Sequence, residues 1–166
     1  MAVTEELVDK VRACVGDASE TSTATIDALM SQRYARAIGE TNPLYVDVEY
    51  ARSKGYANVL VPPNFLPSYL DWSDGGAENE LRPDGTPPGE MEWVPLEGVR
   101  LMGGGEEMIF HSPLVAGTEV VMHSVLDSAE SRESKSGPML ILHIRNSYVT
   151  SDGAPILTSI RTVLGR

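Results

Sequence analysis

Cysteine is almost absent from this chain: Cys14 is the only one in 166 residues. An internal disulfide is therefore excluded, and the composition fits a reducing compartment. Cys14 falls on the apolar side of a predicted helix and reads as a buried, inert thiol. Basic residues are also scarce, with 13 Lys and Arg against 24 Asp and Glu, for a net charge of −11. That balance argues against nucleic-acid binding, which demands a basic surface for the phosphate backbone. An anionic ligand would need a local cluster of cations working against the overall field. No stretch approaches the ~20 apolar residues of a membrane span. The start, Thr4-Glu5-Glu6, lacks the basic head and apolar run of a secretory signal, so a cytoplasmic location is expected. His111, His123 and His143 are the only histidines, and with one cysteine they offer no metal-ligand spacing. No metal is expected, and the three histidines read as surface or interface residues. A Gly-x-Ser-x-Gly elbow is missing too, which disfavours serine hydrolase chemistry.

What is present is ordinary globular material, 42% apolar and 22% charged, of a length that suits one domain over residues 1–166. Residues 4–15 space Leu7, Val8, Val11 and Val15 as an amphipathic helix, within an N-terminal helical segment taken as 1–21. The pattern recurs over 25–38, with Gly39 as the exit, and 47–54 predicts a short helix closed by Gly55. After Val61-Pro62-Pro63, the residues Phe65, Leu66, Tyr69, Leu70 and Trp72 predict a helix apolar on most sides, which belongs inside a fold. Residues 73–92 read as a long loop. Strands are predicted over 96–102, 106–111, 118–128, 138–150 and 154–164, with 130–137 a polar loop and Ser151-Asp152-Gly153 a turn. Gly103-Gly104-Gly105 has no following Lys-Ser/Thr and reads as a bulge or tight bend between strands. Helices first and antiparallel strands after give an α+β domain.

The most informative stretch is Gly39-Glu40-Thr41-Asn42-Pro43-Leu44-Tyr45-Val46-Asp47. It resembles the hydration-site loop of the MaoC-like (R)-specific enoyl-CoA hydratases and dehydratases, which reads Gly-Asp-x-Asn-Pro-x-His-x-Asp in active members. Further segments follow in the family's order. Tyr34-Ala35-Arg36-Ala37-Ile38-Gly39 resembles the entry helix, and Glu49-Tyr50-Ala51-Arg52 the stretch after the loop. Val61-Pro62-Pro63-Asn64-Phe65 resembles the start of the central helix in the N-terminal-type dehydratase domain. Phe110-His111-Ser112-Pro113-Leu114-Val115-Ala116-Gly117 resembles the Arg-Pro-(Leu/Ile)-x-(Ala/Pro)-Gly-Asp segment, and the tail from Asn146 resembles that of the non-catalytic subunit of mycobacterial (3R)-hydroxyacyl dehydratases. The ordered set covers roughly residues 22–166.

The resemblance implies a single hotdog fold, an antiparallel sheet wrapped around a central helix. It also implies a water held by Asp and His and added across an enoyl thioester, with a backbone N–H polarising the thioester carbonyl. Here Glu40 and Tyr45 stand at the Asp and His positions, and a phenol titrating near ~10 is a poor base at neutral pH. Pro63 brings no N–H where active members have glycine. Ser68 matches a family serine. No intact catalytic pair is expected, and the chain resembles the degenerate partner of a catalytic hotdog subunit, in a heterodimer or heterotetramer. Substrate-binding positions carried over are Asn42, Pro63, Asn64, Phe65, Ser68, Tyr69 and Trp72. The substrate would be an acyl-CoA or acyl-carrier-protein thioester of fatty-acid or steroid side-chain metabolism, with no cofactor. Two alternatives stand beside this reading: a homodimeric hydratase using Glu40, and a non-enzymatic acyl-CoA-binding module. Arg33, Arg36, Arg52 and Lys54 are candidates for coenzyme A phosphates, with ordinary solvated charge as the simpler account.

Overall fold

The computed structural model describes residues 3–70, 76–87, 91–135 and 137–166. Four short helices, α1 (Glu5–Ala13), α2 (Ala28–Ala37), α3 (Val48–Ser53) and α4 (Phe65–Leu70), accompany five strands. The strands are β1 (Ser22–Thr25), β2 (Leu101–Phe110), β3 (Glu119–Ser134), β4 (Gly137–Thr150) and β5 (Pro155–Gly165). They form one antiparallel sheet in the order β1-β3-β4-β5-β2. β1 and β2 are therefore its two edges.

Three of the four helices, α1, α2 and α3, start where the sequence offers a cap. Thr4 Oγ1 accepts from the Leu7 N–H, Asp27 Oδ1 from that of Met30, and Asp47 Oδ1 from that of Tyr50, which satisfies donors that have no partner inside the helix. Along β4, Leu140, Leu142, Ile144, Asn146 and Tyr148 are buried and the residues between them are half-buried, the two-residue period of a sheet with one packed face. That face carries two apolar clusters. One joins Val8 and Val11 of α1 to Val94, Leu96, Leu126, Leu140, Leu142 and Ile144. The other joins Phe65, Leu66 and Leu70 of α4 to Val120, Met122, Tyr148, Ile156 and Leu157. Burying each large side chain is worth roughly 1.5–3 kcal/mol, so α4 is held chiefly by its three. This is the hotdog arrangement: a helix against the packed face of an antiparallel sheet.

Several predicted boundaries move. Strands expected at 96–102 and 106–111 are one strand, β2, interrupted only by a register shift between Gly103 and Gly105. A Cβ on Gly104 would lie 2.9 Å from Thr162 Cγ2, and Gly105 has φ +136°, so this bulge requires glycine. Residues 96–100 lie outside the strand, with a turn at Glu97-Gly98. The expected polar loop at 130–137 is the tip of a long β3–β4 hairpin, paired out to Ser134 and Gly137. β1 was not expected; its residues fall in the gap between the first two predicted helices and on the start of the second. Cys14 caps α1 and is half-buried rather than fully buried, its thiol raised by desolvation first and by Asp17 second.

Candidate functional site

The loop that follows α2 is bonded to itself. Gly39, at φ +74°, turns the chain out of the helix. One oxygen of Glu40, Oε1, accepts from the N–H groups of both Thr41 and Asn42 at 2.8 Å. Asn42 Oδ1 accepts from the Leu44 N–H at 3.1 Å and opens a single 3-10 turn, Pro43–Tyr45. Gln32 Nε2 donates to the Val46 carbonyl at 2.9 Å, and the Leu60 N–H to the Leu44 carbonyl at 2.8 Å. The loop is thus pinned to α2 on one side and to the approach of α4 on the other.

Tyr45 leaves this loop to line a cavity of about 310 Å³. Its floor is apolar, made by Leu60, Pro62, Leu66, Leu114, Ile156 and Leu157, and Pro63 lies at its wall. Val61, and Phe110, His111, Ser112 and Pro113 where β2 ends, complete the lining. Desolvation first, and the Glu40 charge second, push the Tyr45 phenol above its ordinary value of 10. At neutral pH it is a hydroxyl that can donate or accept, not a base. His111 Nε2 lies 2.9 Å from Thr158 Oγ1, and Ser112 Oγ donates to the Pro155 carbonyl at 2.9 Å. The cavity can therefore sheath an apolar chain and meet its polar end with Tyr45, His111 and Ser112.

The carried-over positions separate into three groups. Pro63 lines the cavity. Asn42 serves as the turn cap, and the Asn64 carbonyl accepts from the Tyr34 and Ser68 hydroxyls at 3.2 and 3.3 Å. Phe65 is 3% exposed, stacked on Tyr69 at 4.9 Å and edge-on to Tyr34 at 5.5 Å, within the α4 packing cluster. Trp72 lies outside the described residues. Sequence reading missed Phe110, His111, Ser112, Ile156 and Leu157 as lining, although Phe110–Gly117 had stood out as a motif. Among the described residues, no group of three His, Cys, Asp or Glu could hold a metal, and no helix is long and apolar enough to cross a membrane.

Comparison with known proteins places these features. A family model described as "FAS1-like, dehydratase domain region" matches residues 13–159. A UPF0336 protein of Parafrankia sp. is 34% identical over 100 residues, 60% of this chain; the match spans only 59% of that relative's length. A UPF0336 protein of Streptomyces griseus is 24% identical over 135 residues, 81% of this chain and 80% of the relative. Among solved structures, the C-terminally truncated HadBC (3R-hydroxyacyl-ACP dehydratase) complex of Mycobacterium tuberculosis superposes with a TM-score of 0.70 at 17% identity, covering 92% of this chain and 97% of that one. The ChsH1–ChsH2 complex of the same organism gives 0.70 at 21%, covering 96% and 89%. The (R)-hydratase of A. caviae involved in PHA biosynthesis gives 0.61 at 20%, covering 90% and 94%. At these identities the structural likeness establishes the hotdog fold.

Proposed function

Because this chain belongs to the FAS1-like dehydratase domain family, we propose that it is the acyl-thioester-binding, non-catalytic subunit of a heteromeric (R)-specific enoyl-CoA hydratase or 3-hydroxyacyl dehydratase. The observation that carries the reading is the state of the site loop. Tyr45 stands where the family's base should be, with its phenol held protonated. Glu40 stands where the acid should be, with a carboxylate oxygen accepting from two loop N–H groups. Neither group is set to activate water. What remains intact is the apolar cavity of about 310 Å³, which would take the acyl chain while a catalytic hotdog subunit supplies the acid-base pair. The free edge of β2 is the natural seam for that subunit. It carries half-exposed Met102, Ile109 and Phe110, and its unpaired backbone groups suit strand addition. The HadBC and ChsH1–ChsH2 neighbours, both described as complexes, support a two-component assembly.

The test is hydration of a trans-2-enoyl-CoA series by the purified chain, alone and co-expressed with a catalytic hotdog subunit. Turnover in the mixture and none in the isolated chain is the expected result. Turnover by the isolated chain would overturn the reading.

A second reading has one observation in its favour: His111 lines the same cavity as Tyr45. In that reading the base has moved to the end of β2 and a homodimer is self-sufficient. His111→Gln would then abolish turnover of the isolated chain.

A further inference from the structure

A second cavity, of about 570 Å³, opens at the other end of β2 from Tyr45. Five polar residues line it: Asp84 and Thr86 of the loop before β2, Glu106 of β2, and Arg161 and Thr162 of β5. The loop is fixed in place, because Asp84 Oδ2 accepts from the Leu101 N–H at 2.8 Å and Oδ1 from the Thr86 N–H at 3.0 Å. The strand register puts both cavities over one face of the sheet. Phe110 and Leu157 line the first and pair across β2–β5. The next pairs on that face are Met108–Ser159 and then Glu106–Arg161, since side chains two residues apart point to the same side. Four residues of strand advance roughly 13 Å, which separates the apolar first cavity from the polar groups of the second. Ser159, between them, is fully buried and donates to the Glu106 carboxylate. Its cross-strand partner Asn146 is 1% exposed and stands between Ile144 of one apolar cluster and Tyr148 of the other. The packed face is thus apolar at Phe110–Leu157 and becomes polar along the strands towards Arg161.

We infer that the acyl group received by this chain carries a hydroxyl at its far end, held in the second cavity by Glu106 and Arg161. The inference rests on the acyl-thioester reading above and names the substrate class. The thioester end meets Tyr45, His111 and Ser112, and an extended chain advances roughly 1.2 Å per bond, as extended polypeptide does. About eleven bonds therefore carry it from the Phe110–Leu157 pair to the Glu106–Arg161 pair. A neutral hydroxyl can donate to the carboxylate and accept from the guanidinium. A plain methyl end would displace water from both charges and replace none of its bonds. A terminal carboxylate would stand beside Asp84 and Glu106, where like charge repels it.

The test titrates four probes onto the purified chain: dodecanoyl-CoA, 12-hydroxydodecanoyl-CoA, octanoyl-CoA and 8-hydroxyoctanoyl-CoA. Only the twelve-carbon pair is long enough to bring its end to Glu106. The expected result is that 12-hydroxydodecanoyl-CoA binds roughly tenfold tighter than dodecanoyl-CoA, while the hydroxyl on the eight-carbon chain brings no gain. Glu106→Leu should erase the twelve-carbon preference and leave dodecanoyl-CoA binding at least as tight as in the wild type. Glu106→Gln, which still accepts from Ser159 and from a ligand hydroxyl, should keep most of the preference. Equal affinity for the two twelve-carbon probes would overturn the inference. So would a preference of the same size at both chain lengths, which would place the hydroxyl in the first cavity, or one that survives Glu106→Leu. Failure of the wild-type chain to bind any of the four would instead overturn the acyl-thioester reading itself, and the second-cavity inference with it.

Discussion

Replacing Glu40 by glutamine keeps an acceptor oxygen in place and removes only the charge. The two bonds it receives, from Thr41 and Asn42 at 2.8 Å, become neutral instead of charge-assisted. Charge-assisted bonds contribute roughly 1.5–3 kcal/mol and neutral ones roughly 0.5–1.5 kcal/mol. Glu40 is half-exposed, so the low ends apply, a difference of about 1 kcal/mol per bond. Glu40→Gln should therefore cost about 2 kcal/mol, and Glu40→Ala, which removes both bonds, about 3 kcal/mol. For a domain of this size that is a fall in Tm of roughly 2–4 °C per kcal/mol. Urea denaturation of the three proteins measures the stability side. The activity side is enoyl-CoA hydration by the chain mixed with a catalytic hotdog subunit. If Glu40 only shapes the loop, the glutamine variant retains turnover within a factor of about two to three. A general acid or base would lose roughly 10²–10⁴-fold. A hundredfold loss in Glu40→Gln with Tm within a few degrees of wild type would refute the structural role.

Three further outcomes follow from the geometry. The Tyr45 phenol, raised by desolvation and by Glu40, should ionise above 10 in a spectrophotometric titration. Being raised relative to the unfolded chain, it contributes stability below about pH 10 that is lost as pH climbs through the folded value, and Tyr45→Phe should remove that part of the alkaline slope. Burial pushes the Asp84 carboxyl up, but bonds from the Leu101 N–H and from the Thr86 hydroxyl and N–H outweigh it and bring it to about 2. Its stability is thus present above the ordinary 3.8 and lost as pH falls toward 2, so Asp84→Asn should flatten the Tm profile between pH 4 and 2. Ile109, 44% exposed on the free edge, can become aspartate with a stability change within about 0.5 kcal/mol. The same substitution should abolish co-purification with a catalytic hotdog subunit, and unchanged co-purification would remove β2 from the interface.

The α-helices were legible from apolar periodicity and from the glycines that end them, Gly39 and Gly55, although the start of the second helix was placed at 25 and its cap is Asp27. β3, β4 and β5 were legible in outline from two-residue alternation and the Ser151-Asp152-Gly153 turn. β2 was legible only as two separate strands, and the reason is physical. It lies at the sheet edge, so six consecutive residues, 102–107, are exposed and no burial alternation marks it. Its three glycines read as a bulge or bend between strands, although Gly104 is the one that permits the close approach to Thr162 and Leu164. β1 is four residues of half-exposed Ser, Thr and Ala, fixed by pairing with Val120 and Met122 across nearly a hundred residues of sequence, which no local pattern records.

The site divides along the same line. Glu40, Asn42 and Tyr45 were legible because they occupy one contiguous loop that resembles the hydration-site loop of the MaoC-like enzymes. His111, Ser112, Ile156 and Leu157 reach the cavity only because β5 pairs with β2: the His111 and Ser112 N–H groups both point to the Ile156 carbonyl. The same pairing determines what the cavity can do. Its polar groups come from two separate walls, Tyr45 on the loop and His111 and Ser112 at the end of β2, while its apolar floor is continuous with the core under α4. A ligand that fills it must therefore be mostly apolar, with polar atoms that meet Tyr45, His111 or Ser112. Under the proposed reading that requirement fits an acyl thioester whether the acid-base pair is brought by a partner or by His111, so variants that lose acyl binding and variants that lose turnover should be separable.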